Sequence, residues 1–309
     1  MVDALELTER PQAADLVMIV GWRQWADAGS VSSGLPQYLI QRSNARHIGT
    51  IRPDGFYLFQ IPGTHDLVRP IVRFDDGFPA SLDTPRNEFF YTGDESLGVV
   101  IFLGDEPHLD IERYAAALLE AAQTLNVTRI VSLGGVYGEL PYNKARMISC
   151  TYSQPHMQQE LSRLAVQFSE YHGGASISSY LCRRAGEHGQ EFVGLYALVP
   201  TYDFAQFPQI TNTIQLENDF TAWYDVMRRI NYLLKTSFDL TDLQRRSAQL
   251  TKTVDAKVTE LEKASPQSGV REYFDRLSEE FTEVPFDPLA DMWEEELRRL
   301  LDDSETEDS

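Results

Sequence analysis

The strongest constraint on this chain is a strand–helix–strand unit in its middle. Leu97–Leu103 is a short, unbroken apolar run that closes at Gly104, and Arg129–Leu133 is a second run that leads into Gly134 and Gly135. Between them, Tyr114, Leu118, Ala121, Ala122 and Leu125 recur at helical spacing behind Asp110, a suitable N-cap. Runs without polar alternation belong to strands buried on both faces. One intervening helix implies parallel neighbours and a right-handed crossover. The expected fold class is therefore α/β, with a mostly parallel sheet.

The same pattern extends both ways. Asp15–Val20 reads as a buried strand and Arg46–Ile51 as another, closed by the Pro53-Asp54-Gly55 turn. Ser30–Gln41 has weak helical spacing, and Pro36 makes that helix short or late to start. Val68–Phe74, Phe89–Tyr91, Met147–Tyr152 and Phe192–Val199 are further expected strands, the last stopped by Pro200. Pro155–Ser169 and Ser176–His188 are expected helices. From Leu216 the pattern becomes helical only. Phe220, Trp223, Met227, Ile230 and Leu234 form one apolar stripe, and Leu243, Leu250, Val254, Val258 and Leu261 a second, both needing a partner surface. Gly269–Phe281 and Pro288–Leu301 are two more helix candidates. The expected organisation is a core over residues 1–215, a helical arm over 216–301 and an acidic tail over 302–309.

Charge narrows the partners. With 309 residues and a formal net charge of −20, the chain is a poor match for nucleic acid, which needs clustered Lys and Arg. No apolar run approaches the roughly 20 residues that cross a bilayer, and no basic segment leads into an apolar one at the N-terminus. A cytoplasmic location follows as the expectation. Cys150 and Cys182 are in no CxxC pair and are expected to be buried, reduced thiols.

Motifs for chemistry are sparse. The six histidines lack metal-ligand spacing, so no metal is expected. Gly134-Gly135-Val136-Tyr137-Gly138 is neither a P-loop nor a dinucleotide fingerprint. Read as a glycine loop at a parallel strand's carboxyl end, it could bring backbone N–H groups to a ligand or simply make a tight turn. Carboxylates follow three strand ends: Asp27, Asp105 with Glu106, and Glu139. They could converge on a crevice that binds a cationic group, or serve as caps. The aromatic groups Trp22/Trp25 and Phe56/Tyr57/Phe59 could line a pocket or an oligomer face, or fill the core. No nucleophile elbow occurs, so no catalytic residue is assigned and an enzymatic role is not favoured.

Several short motifs together resemble the proteasome assembly chaperone 2 family. They are Asp27-Ala28-Gly29, Asp54–Phe59 with Arg69-Pro70, Gly104-Asp105-Glu106-Pro107, and the strand-to-glycine step Ile130–Gly135. Gly173–Ile177, Val199-Pro200-Thr201-Tyr202 and Phe238-Asp239-Leu240 continue the series, and the whole covers roughly residues 15–262. The resemblance implies a three-layer α/β/α sandwich of the phosphorylase/hydrolase-like kind with a helical C-terminal arm. It also implies ligand crevices at strand ends and adds Tyr202 to the candidate residues Asp27, Glu106, Gly134, Gly135 and Glu139.

The chain departs from the family where a Pro-His-Thr-Arg run is usual and Pro141-Tyr142-Asn143-Lys144 stands instead. Chemistry that depends on that histidine is not carried over. The end, Glu307-Asp308-Ser309, is not the hydrophobic–Tyr–any-residue tail of proteasome-docking relatives. ATP use is not expected, because the first lysine is Lys144 and phosphate-gripping lysines are missing from the core; no cofactor is expected. The resulting expectation is a non-catalytic interaction or assembly-chaperone-like factor. It acts with itself as a homo-oligomer, a trimer, or with another protein. The alternative is a small-molecule binder or a hydrolase/phosphorylase-type enzyme with a crevice at the strand ends.

Overall fold

The computed structural model describes residues 4–60, 68–202, 214–264 and 269–287. Its strands are β1 (Leu5–Leu7), β2 (Asp15–Arg23), β3 (Arg46–Ile51), β4 (Ile71–Asp75), β5 (Phe78–Asp83) and β6 (Glu88–Gly93). They continue with β7 (Leu97–Asp105), β8 (Arg129–Gly138), β9 (Ile148–Tyr152), β10 (Gln167–Phe168), β11 (Glu191–Tyr202) and β12 (Ile214–Gln215). The helices are α1 (Gly34–Arg42), α2 (Ile111–Thr124), α3 (Gln158–Leu161), α4 (Ile177–Glu187), α5 (Phe220–Leu233), α6 (Thr241–Ala264) and α7 (Val270–Glu280).

Ten strands form one mixed sheet in the order β1-β3-β6-β7-β2-β8-β11-β9-β10, with β12 on β11. The four long central strands β7, β2, β8 and β11 are all parallel, as the strand–helix–strand pattern predicts. Antiparallel strands flank them. Alternation along each central strand divides the core in two. Val17, Ile19, Val99, Ile101, Val131, Leu133, Val193 and Leu195 point to one layer, packed under α1, α5, α6 and α7. Met18, Val20, Val100, Phe102, Ile130 and Phe192 point to the other, under α2 and α4. This is the expected α/β/α sandwich.

The two C-terminal stripes were expected to need a partner surface, and they find it within the chain. Trp223, Met227 and Ile230 of α5 and Leu243, Val254 and Val258 of α6 join the same apolar layer as the sheet. Pro36 delays α1, which starts at Gly34.

Three expectations are corrected. The helix over Pro155–Ser169 breaks into short turns and ends at Leu164, because Ala165 is left-handed at φ 49° and the chain then forms β10. Arg229 stabilises that break by donating to the carbonyls of Leu164 (2.8 Å) and Ala165 (3.1 Å). Pro200 does not stop β11, which runs on to Tyr202. The strand expected from Val68 starts at Ile71 and belongs to a separate two-stranded hairpin with β5. The candidates Pro288–Leu301 and the 302–309 tail lie outside the described residues.

Candidate functional site

The glycine step that the sequence presents as a loop is strand. β8 continues through both glycines to Gly138, with Gly134 opposite Tyr196 and Gly135 opposite Ala197 of β11. Neither glycine has a positive φ; the requirement is for space. A Cβ on Gly135 would sit 2.0 Å from the carbonyl oxygen of Ala28, and one on Gly134 would sit 2.3 Å from the Tyr196 ring. Consecutive strand residues face opposite layers. Gly135 therefore receives the Asp27-Ala28-Gly29 turn on one face, while Gly134 receives an aromatic ring on the other.

The turn is fastened firmly. Asp27 pairs with Gly135 in a parallel bridge, and the Gly135 N–H donates to Ala26 O at 2.7 Å. The Asp27 carboxylate accepts from the Ser32 and Ser33 N–H groups, both at 2.9 Å, and from the Ser33 hydroxyl at 2.6 Å. Burial pushes its pKa up, against the pull of those hydrogen bonds. Gly29 adopts φ 60°, and its carbonyl accepts from the Asp219 N–H and from the Trp223 indole, each at 2.9 Å. The turn thus ties the end of β2 to β8 and to α5.

Glu106, one residue beyond β7, accepts from the Ile177 N–H at 2.8 Å in the first turn of α4, and from the Trp25 N–H. Burial raises its pKa despite these donors. The N-terminus of α4, where an anion could otherwise bind, is occupied by the chain's own carboxylate. Behind it lies a set of hydroxyls: Ser132 donates to Ser178 at 2.5 Å, and Tyr196 donates to Ser178 at 2.8 Å.

Glu139 and Tyr202 belong to a different grouping under α7. Tyr273 donates to Glu139. Tyr202 donates to Leu140 O at 2.5 Å and stacks edge-on against Phe274 at 4.6 Å. Tyr142 donates to Asp255 at 2.8 Å and packs edge-on against Phe274. Among the six candidates, the structure brings Asp27 onto Gly135 and ties Glu106 to Trp25, two residues upstream of Asp27. Gly134 makes its contact with Tyr196 on the other face of β8, and Glu139 and Tyr202 make theirs under α7. A cleft does occur elsewhere, lined by Arg146, Ile148, Val166, Arg229, Thr282 and Val284, and it contains none of the six.

The aromatic groups divide. Trp22 is buried and donates to Tyr114 at 2.9 Å, whereas Trp25 is 61% exposed. Phe56 is buried, Tyr57 reaches Asn87 at 2.8 Å, and Phe59 is 65% exposed. Leu109, Val136 and Tyr137 are also exposed. Trp25, Leu109 and the Val136–Tyr137 pair lie at or beyond the carboxyl ends of the adjacent parallel strands β2, β7 and β8. That edge is therefore closed within by turns and carboxylates and apolar on its outer rim. Sequence reasoning missed Tyr196 and Arg146. Tyr196 was legible only once β8 and β11 were in register, and Arg146 carries no local signal. Among the described residues, no three His, Cys, Asp or Glu side chains form a potential metal-binding group. No helix among them is long and apolar enough to cross a membrane.

These features define a class: an α/β/α sandwich with a parallel centre, a glycine-docked turn and a C-terminal helical clasp. The chain belongs to the PAC2 family, whose pattern it matches over residues 21–258. It is similar in fold to a proteasome-assembly chaperone homologue from Mycobacterium tuberculosis, at 20% identity and TM-score 0.69, covering 83% of this chain and 99% of that one. A PAC2 family protein from Streptomyces avermitilis is similar at 22% identity and TM-score 0.68, covering 84% and 99%. An archaeal proteasome activator from Pyrococcus furiosus is similar at 19% identity and TM-score 0.58, covering 82% and 98%. Among curated proteins, none matches the chain.

Proposed function

We propose that this protein is a non-catalytic interaction factor of the assembly-chaperone kind that works in the cytoplasm as a homo-oligomer, a trimer. The observation that carries this reading is the apolar rim over a closed strand edge. In open α/β sheets the carboxyl ends of the strands are where ligand crevices form. Here Asp27 and Glu106 are spent on the chain's own N–H groups, and the backbone of Ala28 fills the space over Gly135. What faces outward is Trp25, Leu109, Val136 and Tyr137. Exposed apolar groups concentrated on one edge favour a protein partner over a small polar ligand. The family, and structural relatives described as proteasome-assembly chaperone homologues, support the same direction.

Native mass spectrometry at micromolar concentration, with and without purified proteasome α-subunits, tests the reading. The expected result is a trimer that forms a complex with the subunits. A monomer that binds nothing overturns it.

A further inference from the structure

The β4–β5 hairpin stands apart from the ten-stranded sheet, and every residue of both strands is exposed. None of its residues joins either apolar layer. Its register defines two sides. Val72 lies opposite Leu82, and Phe74 opposite Pro79. Arg73 lies opposite Ser81, and Ile71 opposite Asp83. The register shift between Arg73 and Phe74 skips Ala80 and keeps Phe74 and Pro79 on the side of Val72 and Leu82. One side of the ribbon is therefore apolar, with Phe74 and Leu82 each 60% exposed. A lone two-stranded ribbon is marginal in water, so covering that side stabilises it.

Charge distinguishes the possible occupants. The chain carries −20, yet residues 69–86 hold Arg69, Arg73 and Arg86 against Asp75, Asp76 and Asp83, a local balance of zero. A face built for a cationic partner would concentrate carboxylates. The apolar side itself carries no charge, and the Arg and Asp residues on its reverse and flanks cancel, so two copies of a strongly acidic chain meet there with least repulsion. Position supports the same occupant. The Arg86 N–H donates to the Asp105 carboxylate at 2.8 Å, so the hairpin springs from the end of β7, beside the exposed rim. The chain thus presents two open apolar surfaces of different make-up. Their union between copies is a head-to-tail contact, the kind that closes into a ring.

We propose that the Val72/Phe74/Pro79/Leu82 side of the hairpin docks on the Trp25–Tyr137 rim of a second copy of this chain. The proposal rests on the homo-oligomer reading and names the contact that builds it.

Light scattering and native mass spectrometry test it on four samples: the full chain, a hairpin variant (Val72→Ser, Phe74→Ser, Leu82→Ser), a rim variant (Trp25→Ser, Tyr137→Ser) and a mixture of the two. Circular dichroism checks folding, and replacing residues 72–82 by two glycines gives a second route to the hairpin readout. The expected result is an oligomeric full chain whose dissociation constant rises at least about 100-fold in either variant, from loss of apolar anchors. The mixture forms a heterodimer through the one intact hairpin and the one intact rim. If the full chain is oligomeric and the hairpin variants keep its mass, the proposal fails while the homo-oligomer reading stands. If both variants are monomeric and their mixture is too, the head-to-tail pairing fails. A monomeric full chain removes both readings.

Discussion

Arg146 and Asp219 form a two-point ion pair, Nε to Oδ2 at 2.7 Å and Nη2 to Oδ1 at 3.3 Å, with both side chains sealed from water. The third guanidinium nitrogen donates to the carbonyls of Lys144 at 2.6 Å and Tyr142 at 3.1 Å. Asp219 also caps α5 by accepting from the Thr221 and Ala222 N–H groups, each at 3.1 Å. The pair therefore welds the 141–146 loop to α5.

Removing one partner leaves a buried charge uncompensated. Asp219→Ala is expected to cost about 3–5 kcal/mol in urea unfolding. Arg146→Met combined with Asp219→Asn is expected to cost less than the sum of the single changes, because no lone charge remains. Strict additivity would show that the two side chains do not act as a pair.

Gly135→Ala places a methyl group against the Ala28 carbonyl. The turn or β8 must shift, and the expected loss is about 1–3 kcal/mol, or more if the Asp27 turn detaches. Gly174→Ala is the control, since nothing lies within 4 Å of a Cβ there and its φ is not positive. It is expected to stay within about 0.5 kcal/mol of the parent. Equal melting temperatures for the two variants would refute close packing at Gly135.

Glu106 gives a pH signature. Burial holds its carboxyl above the ordinary range, outweighing the Ile177 and Trp25 N–H groups. The folded chain thus binds this proton more tightly than the unfolded chain. The stability it contributes is complete below the ordinary carboxylate pKa and is lost as pH rises through the raised value. Glu106→Gln removes that titration. The variant is expected to gain melting temperature relative to the parent between about pH 4 and the raised pKa, then to run parallel to it. A difference that narrows with rising pH contradicts this account.

Phe274 is the hinge-pin of α7, edge-on to both Tyr202 and Tyr142. Phe274→Ala is expected to cost about 3–5 kcal/mol locally. Hydrogen exchange should show α7 amides losing protection while the β2, β7 and β8 amides keep theirs. Uniform loss across the sheet would mean that α7 is not a separate clasp.

The two thiols were expected to be buried and reduced, and both are buried and free. Burial pushes Cys150 up to about 12 and Cys182 up to about 11. Neither is expected to react with an aromatic disulfide reagent at pH 8 until the chain unfolds, since the thiolate is the reactive form. Rapid labelling of the native protein would contradict this.

Much of the scaffold was legible because its signals are local. The apolar runs of β2, β7, β8 and β11 report burial on both faces, and the spacing in α2 reports one buried face, without reference to distant residues. The candidate site was legible in part. Asp27 and Glu106 were recognised as strand-end carboxylates, but whether they face a ligand or the chain's own N–H groups depends on loops far away in sequence. Trp22 and Trp25 look alike in sequence; one is core and the other rim.

By itself the sequence determined the α/β class, the parallel central strands and the amphipathic character of the C-terminal helices, since hydrophobic periodicity follows from the geometry of each element alone, whereas the assembled fold decided that those helices close on the chain's own sheet. Tertiary structure decided the meaning of Gly134 and Gly135. The sequence shows two glycines after a strand, which suits a loop. The fold shows a strand that continues, with the missing side chains making room for Tyr196 on one face and the Asp27 turn on the other. Steric exclusion acts between residues brought together by the sheet, so only the assembled sheet could distinguish a loop for a ligand from a seat for the chain's own turn.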